Sequence, residues 1–258
     1  MWTHAHIVTL LPAVAIYVVI AVVVGLLLRK ASERVRMIPI HLITIALVGL
    51  EIIKQYRAFN GGDYKFEKLP LYYCSLFAFF YLFVSLYRGK DKNSFRILTI
   101  TSGITLFVVM MVFPDVIYSE GAIKNMKNDF DDFHTVAYHN LVLLGTALMI
   151  SLRLFKVNFK KDVVVTFSVY LLYCVIAAPT AIYLGQNYNQ FHDCYVPAVE
   201  GWRQTFISNM GPSFGQAFYM FCNTLTTVGF SVLMYVVFST LVILIQKCFK
   251  KKKNNQKI

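Results

Sequence analysis

Charge is scarce in this sequence. Only 15% of its 258 residues are Asp, Glu, Lys or Arg, while 57% are hydrophobic. A soluble domain carries about 25% charged residues, so that class is excluded, and no polar stretch is long enough for a separate soluble domain. Short alternating apolar segments, the mark of a membrane β-barrel, are missing too. Acidic residues number 13 against 25 basic ones, a net charge of +12. No basic domain or recognition fold accompanies that charge, which excludes nucleic acid as a partner. The five cysteines form no CxxC pair and no zinc spacing. There is no phosphate loop, Gly-x-Ser-x-Gly elbow or His-Glu-x-x-His motif, and no internal repeat of the transporter kind. The last apolar run has no lysine before Lys247, which excludes a retinal Schiff base. The sequence thus implies no cofactor and no metal, and it leaves the oligomeric state open.

What the chain does have is long apolar runs separated by short charged clusters. In lipid, only helices and closed barrels satisfy their own backbone, so the expected fold is all-α: a polytopic membrane helical bundle. Seven spans are expected, at 6–28, 38–58, 69–88, 95–115, 133–154, 163–184 and 217–246. They make one membrane domain over 1–247, followed by a basic tail at 248–258. The first run is too long for a signal-peptide core and precedes its basic cluster, so it reads as a retained anchor. Most of the basic residues fall in alternate loops: Arg29, Lys30, Arg34 and Arg36; Arg88, Lys90, Lys92 and Arg96; Arg153, Lys156, Lys160 and Lys161; and Lys247, Lys250, Lys251, Lys252, Lys253 and Lys257. The positive-inside rule then places the N-terminus outside and the C-terminus inside. Membrane lipids are the expected partners, with anionic headgroups available to the tail.

Several polar residues are hard to explain as packing. Glu51 lies deep in the second span, where a carboxylate costs about 2.5–3.5 kcal/mol and usually faces a partner or a cavity. Lys54, three residues on, is placed to pair with it. The third span opens Leu69-Pro70-Leu71-Tyr72-Tyr73-Cys74, with proline in its first turn and a thiol about one turn deeper. The fourth ends Phe113-Pro114-Asp115. Asp129, Asp131 and Asp132 form an acidic rim suited to a helix start. In the fifth span, His134 and His139 are about 140° apart around a helix, so one is expected to face the bundle and the other the interface. Pro179 should kink the sixth span or release its carbonyls. Beyond it, Asn187 and Tyr188 begin a long outer loop. Cys74 and Cys194 both fall near the outer side, and the sequence leaves a disulfide between them open. The orientation sets Cys74 level with Glu51, Asp115, His139 and Asn187, which makes a polar site in the outer half of the bundle.

In order and spacing, Glu51, the Leu69-to-Cys74 motif, Phe113-Pro114-Asp115, Phe133-His134 with His139, and Gly185-Gln186-Asn187-Tyr188 resemble the bacterial YwaF-like integral membrane family. That family looks like a distant relative of a eukaryotic membrane acyltransferase family that remodels ether phospholipids. The resemblance implies a bacterial plasma membrane and a functional pair of Cys74 and His139. One departure stands out: Tyr72 occupies the place where the bacterial motif usually has histidine, and a tyrosine is no base near neutral pH.

Three functions are compatible with these residues. One is lipid acyl transfer through Cys74, with His139 or His134 as base, Glu51 or Asp115 orienting the histidine, and Tyr72, Asn187 or Tyr188 holding the headgroup or polarising the carbonyl. A second is a transporter or a small-molecule- or lipid-binding bundle without covalent chemistry. A third is a noncatalytic assembly or sensory protein.

Overall fold

A computed structural model describes residues 2–62, 64–117, 119–194 and 196–255. Asp63 of the expected second-loop turn and Lys257 of the tail lie outside the described residues, as do the side chains of Lys250, Lys251, Lys252 and Lys253.

The described chain is helical throughout its long elements. Helices α1 (His4–Leu27) and α2 (Glu33–Asn60) are followed by two 3-10 turns, Phe66–Lys68 and Tyr73–Ser75, and then α3 (Leu76–Leu86). After α4 (Lys92–Val112) come the short α5 (Pro114–Ile117) and α6 (Glu120–Asn125), then α7 (Phe130–Ser151) and α8 (Phe159–Leu184). A 3-10 turn at Tyr188–Gln190 and α9 (Pro197–Met210) lead into α10 (Pro212–Asn255). Six of these helices are long and apolar enough to cross a membrane, namely α1, α2, α4, α7, α8 and α10. The protein is a polytopic membrane helical bundle. Asp129 caps α7 by accepting from the Asp131 and Asp132 amides at 2.9 and 3.0 Å, as the acidic rim predicts.

α7 is the central post, packing on α1, α2 and α4. The close crossing of α7 with α4, and the seat on α7 for the Tyr81 ring of α3, depend on small residues. A Cβ on Gly145 would strike the Tyr81 ring, and one on Gly103 would strike Thr146.

Three basic loops meet at one end of the bundle. Glu33 pairs with Lys92 (3.2 Å) and Arg96 (2.9 Å), and Asp91 pairs with Lys161 (2.6 Å). Arg36 and Arg96 donate to the Leu152 and Leu154 carbonyls at the end of α7, at 2.8 and 3.2 Å. Alternating basic loops sharing one end is the arrangement the positive-inside pattern requires.

The third span differs from expectation. Its helical part, Tyr73–Leu86, would rise only about 21 Å, short of a bilayer core of about 30 Å. Leu69 and Tyr72 have extended ψ values of 142° and 149°, so residues 69–72 enter as irregular backbone. Pro70 disfavours the helical region for Leu69, which an apolar-run count cannot register. Irregular backbone at membrane depth must find partners inside the protein. Here tyrosines supply them. Tyr173 of α8 donates to the Leu71 carbonyl at 2.9 Å, and the Tyr188 hydroxyl donates to that of Phe66. Tyr138 of α7 accepts the Ala78 amide at 2.8 Å and donates to the Ser75 carbonyl at 3.4 Å.

Candidate functional site

Opposite the basic loops, the irregular entry to α3, the outer part of α2 and the first turns of α7 enclose a pocket of about 160 Å³. Its walls are Lys54, Glu67, Lys68, Tyr72, Cys74, Ser75, Asp131, His134, Thr135, Tyr138 and His139. Cys74 sits on the 3-10 turn that leads into α3. The Lys54 ammonium stands on the same pocket wall as this thiol.

His139 is buried, and its Nδ1 lies 2.6 Å from the Thr135 carbonyl one turn earlier. A carbonyl only accepts, so Nδ1 carries the proton, and in the neutral ring Nε2 is the basic nitrogen. His134 is buried as well and stacks on Tyr138 at 5.3 Å. Contrary to the expectation of one inward and one interfacial histidine, both line the pocket. The pocket takes in the whole sector of α7 from residue 134 to 139, wide enough to span the angle between them.

Behind the pocket, Glu51 gathers three partners. Lys54 pairs with it at 2.7 Å, the expected intrahelical pair; Gln55 donates to it at 2.8 Å; and His134 Nε2 lies 3.6 Å away. Gln55 also donates to the Lys68 carbonyl at 2.6 Å and accepts from the Tyr64 hydroxyl at 2.7 Å. This ties α2 to the turn preceding α3. Lys68 bridges to Asp131 of α7 at 3.0 Å. Burial pulls the Lys68 ammonium toward neutrality, but the Asp131 hydrogen bond and the nearby Asp131, Glu67 and Asp129 charges outweigh it, and its pKa rises.

The other sequence candidates divide. Tyr72 lines the pocket, and Tyr188 packs edge-on against it with ring centroids 5.4 Å apart. Asn187 lies outside the lining, where its Oδ1 accepts the Asp193 amide at 3.3 Å. Asp115 is also outside, on α5, 3.6 Å from His6 of α1. Cys74 and Cys194 are both free thiols, and Cys194 donates to Gln190 Oε1 at 2.7 Å. Sequence reasoning missed Lys68, Asp131 and Tyr138 as neighbours of Cys74. Asp131 and Tyr138 lie about sixty residues from Cys74 along the chain, and Lys68, although only six residues before it, belongs to the turn ahead of the apolar run.

A second feature lies on another face of α7. An apolar groove of about 680 Å³ runs between α1, α2 and α7, with Tyr17, Leu50, Phe133, Ala137 and Leu144 among its lining.

A helical membrane bundle with a thiol, two histidines and two ammonium groups around one small pocket defines an integral membrane protein with a polar site near one surface. Residues 1–235 match the sequence model of the TMEM164 family, and the chain belongs to that family. No curated protein and no solved structure matches it.

Proposed function

We propose that the protein is a lipid acyltransferase in which Cys74 is the nucleophile and His139 the general base. One observation carries this reading: Cys74 and His139 line the same pocket, and the Thr135 hydrogen bond leaves Nε2 of His139 as the nitrogen that takes a proton. A free thiol has a pKa of about 8.5 and needs such a base near neutral pH.

In the first half-reaction Nε2 removes the thiol proton. The thiolate attacks the ester carbonyl of a donor lipid, the C–S bond forms and the ester C–O bond breaks. The departing lipid alkoxide takes the proton back from the imidazolium. In the second, Nε2 deprotonates the hydroxyl of an acceptor lipid, its oxygen attacks the thioester, and the C–S bond breaks to return the thiolate, which is then reprotonated. The Tyr72 hydroxyl, on the pocket wall, is suited to donate to the carbonyl oxygen as charge develops there. Lys54 and Lys68 bring positive charge to a lipid phosphate, and Glu51 holds Lys54 and His134 in place.

A pocket of about 160 Å³ suits an ester group rather than a whole lipid, whose binding sites run to about 300–1,000 Å³. The chains would remain in the membrane or in the groove beside α7. On the motif series, we further read the chain as a YwaF-like bacterial member of the family, resident in the plasma membrane.

The test is intact-mass analysis of the purified protein with a diacyl phospholipid donor and a lysophospholipid acceptor. Wild type should carry a hydroxylamine-labile acyl adduct that Cys74→Ala lacks, and His139→Gln should transfer about 10²–10⁴-fold more slowly. No adduct under turnover, with lipid profiles unchanged in Cys74→Ala, would overturn the reading. Retained uptake of a solute in Cys74→Ser with loss in Glu51→Gln would instead favour a transporter built on the same ion-pair network.

A further inference from the structure

At the basic end, well away from Cys74, a cavity of about 570 Å³ opens between the last turn of α1, the start of α2 and the turn after α7. Arg29, Lys30, Arg36 and Arg153 line it together with Val22, Leu26, Ser151 and Leu152, and no carboxylate does. Its size falls within the roughly 300–1,000 Å³ typical of small-molecule sites. We propose that this cavity binds the phosphate of an anionic phospholipid headgroup.

The cavity gathers unpaired positive charge into one cleft. The neighbouring cations Lys92, Arg96 and Lys161 are matched by Glu33 and Asp91. None of the four cations of the cavity has an ion pair among the described residues. The C-termini of α1 and α7 point the negative ends of their dipoles here, each worth about half a charge. Together they offset roughly one of the four positive charges.

The geometry is also set for a planar donor. Arg36 is pinned by one nitrogen to the Leu152 carbonyl at 2.8 Å, while its buried Nε has no hydrogen-bond partner among the described residues. An immobilised guanidinium with an unused N–H is a ready half of a bidentate phosphate contact. Arg153 holds a left-handed conformation, φ 52°, which turns the chain at the end of α7. Gly25 lets α1 lie against Ser151, where a Cβ would come within 3.0 Å of the Ser151 side chain. The remaining wall is apolar and membrane-facing: Val22 and Leu26 are exposed residues of a membrane-spanning helix. A phosphate carrying acyl chains satisfies both walls, whereas free phosphate satisfies only the cationic one.

The experiment uses the full chain in detergent with equimolar phosphatidylglycerol and phosphatidylcholine, read by native mass spectrometry. A parallel arm adds inorganic phosphate alone and reads thermal stability. Wild type should retain phosphatidylglycerol in preference to phosphatidylcholine. Arg36→Gln and Arg153→Gln should each weaken that retention by about tenfold, the scale of one charge-assisted hydrogen bond. Arg34→Gln, which removes a charge of the same loop outside the cavity, should leave it within twofold. Arg153 is exposed and makes no hydrogen bond or ion pair with its side chain among the described residues, so Arg153→Gln decides the matter even if Arg36→Gln unfolds. Equal retention of the two lipids, an equal loss in Arg34→Gln, or stabilisation by inorganic phosphate without any lipid preference would each overturn the proposal.

Discussion

The two ends of the bundle use charge in opposite ways. At the basic end, Glu33 and Asp91 reach into solvent and clasp lysines and an arginine of neighbouring loops, with the Glu33 side chain 47% exposed. At the other end, Glu51 is only 11% exposed and turns inward, where Lys54, Gln55 and His134 converge on it behind a pocket that holds a thiol. The backbone differs likewise. α4 and α8 begin as helices at the basic end, whereas α3 begins as irregular chain whose carbonyls are taken up by tyrosines from α8 and the outer loop. Surface pairs between loops hold topology and contribute little energy. Buried pairs and irregular backbone cost much to assemble, and such cost tends to be concentrated where geometry serves chemistry.

The largest test of this contrast replaces the carboxylate at each end. Glu51→Gln strips Lys54 of its counterion in a buried setting and should destabilise by about 3–5 kcal/mol, the range for breaking one side of a buried pair. Glu33→Gln loses the exposed Lys92 pair and one partner of the buried Arg96, which keeps its bond to the Leu154 carbonyl, so it should cost less than Glu51→Gln. Thermal unfolding of both variants in one detergent compares them directly, and equal losses would erase the distinction.

A finer test removes one hydroxyl at each end. The Leu71 carbonyl belongs to irregular backbone and depends on Tyr173, so Tyr173→Phe should cost about 1–3 kcal/mol, the penalty for a buried polar group left unpaired. It should also speed the reaction of Cys74 with a membrane-permeant thiol reagent. Tyr235 donates to the Phe159 carbonyl at 3.2 Å, but that carbonyl lies in the first turn of α8 and keeps its helical partner. Tyr235→Phe should therefore fall near about 0.5–1.5 kcal/mol and leave Cys74 reactivity unchanged.

Much of this was legible in the residues. Five of the long helices follow from apolar runs with limits moved by at most five residues, whereas α10, Pro212–Asn255, overruns both ends of the expected 217–246. The Glu51–Lys54 pair and the Asp129 cap are local, set by spacings of three residues or fewer. The start of α3 was not legible: an apolar run reads alike whether its first turn is helical or extended, and the tyrosines that stabilise the extended form lie about a hundred residues away. Lys68 and Asp131 read separately as a loop cation and a helix-start acid, and only the packing of the Phe66–Lys68 turn against α7 sets them side by side on the pocket. Asp115 shared the estimated depth of Cys74, but depth carries no information about azimuth, and it lies outside the pocket, 3.6 Å from His6.

The smallest expected effect lies outside the pocket, in α9 and the chain that leads into it. Glu200 takes a bidentate grip from Arg203, at 2.8 and 2.7 Å, and accepts the Cys194 amide at 2.9 Å. The Arg203 hydrogen bonds lead in lowering its pKa from 4.5 to about 2. Because the folded value lies below the unfolded one, its contribution is fully present above about pH 4.5 and is lost as pH falls through about 2. The Glu200 side chain is 26% exposed and partly screened by solvent, so the loss should be a small increase in proteolytic cleavage of the 190–200 segment across that window, measured with an acid protease. Glu200→Gln should show the acid level of cleavage at every pH. The Glu51 network, buried behind the pocket, should give no such local signal in this segment, and a Glu51→Gln variant that reproduced it would mean that the outer loop and the pocket behave as one unit.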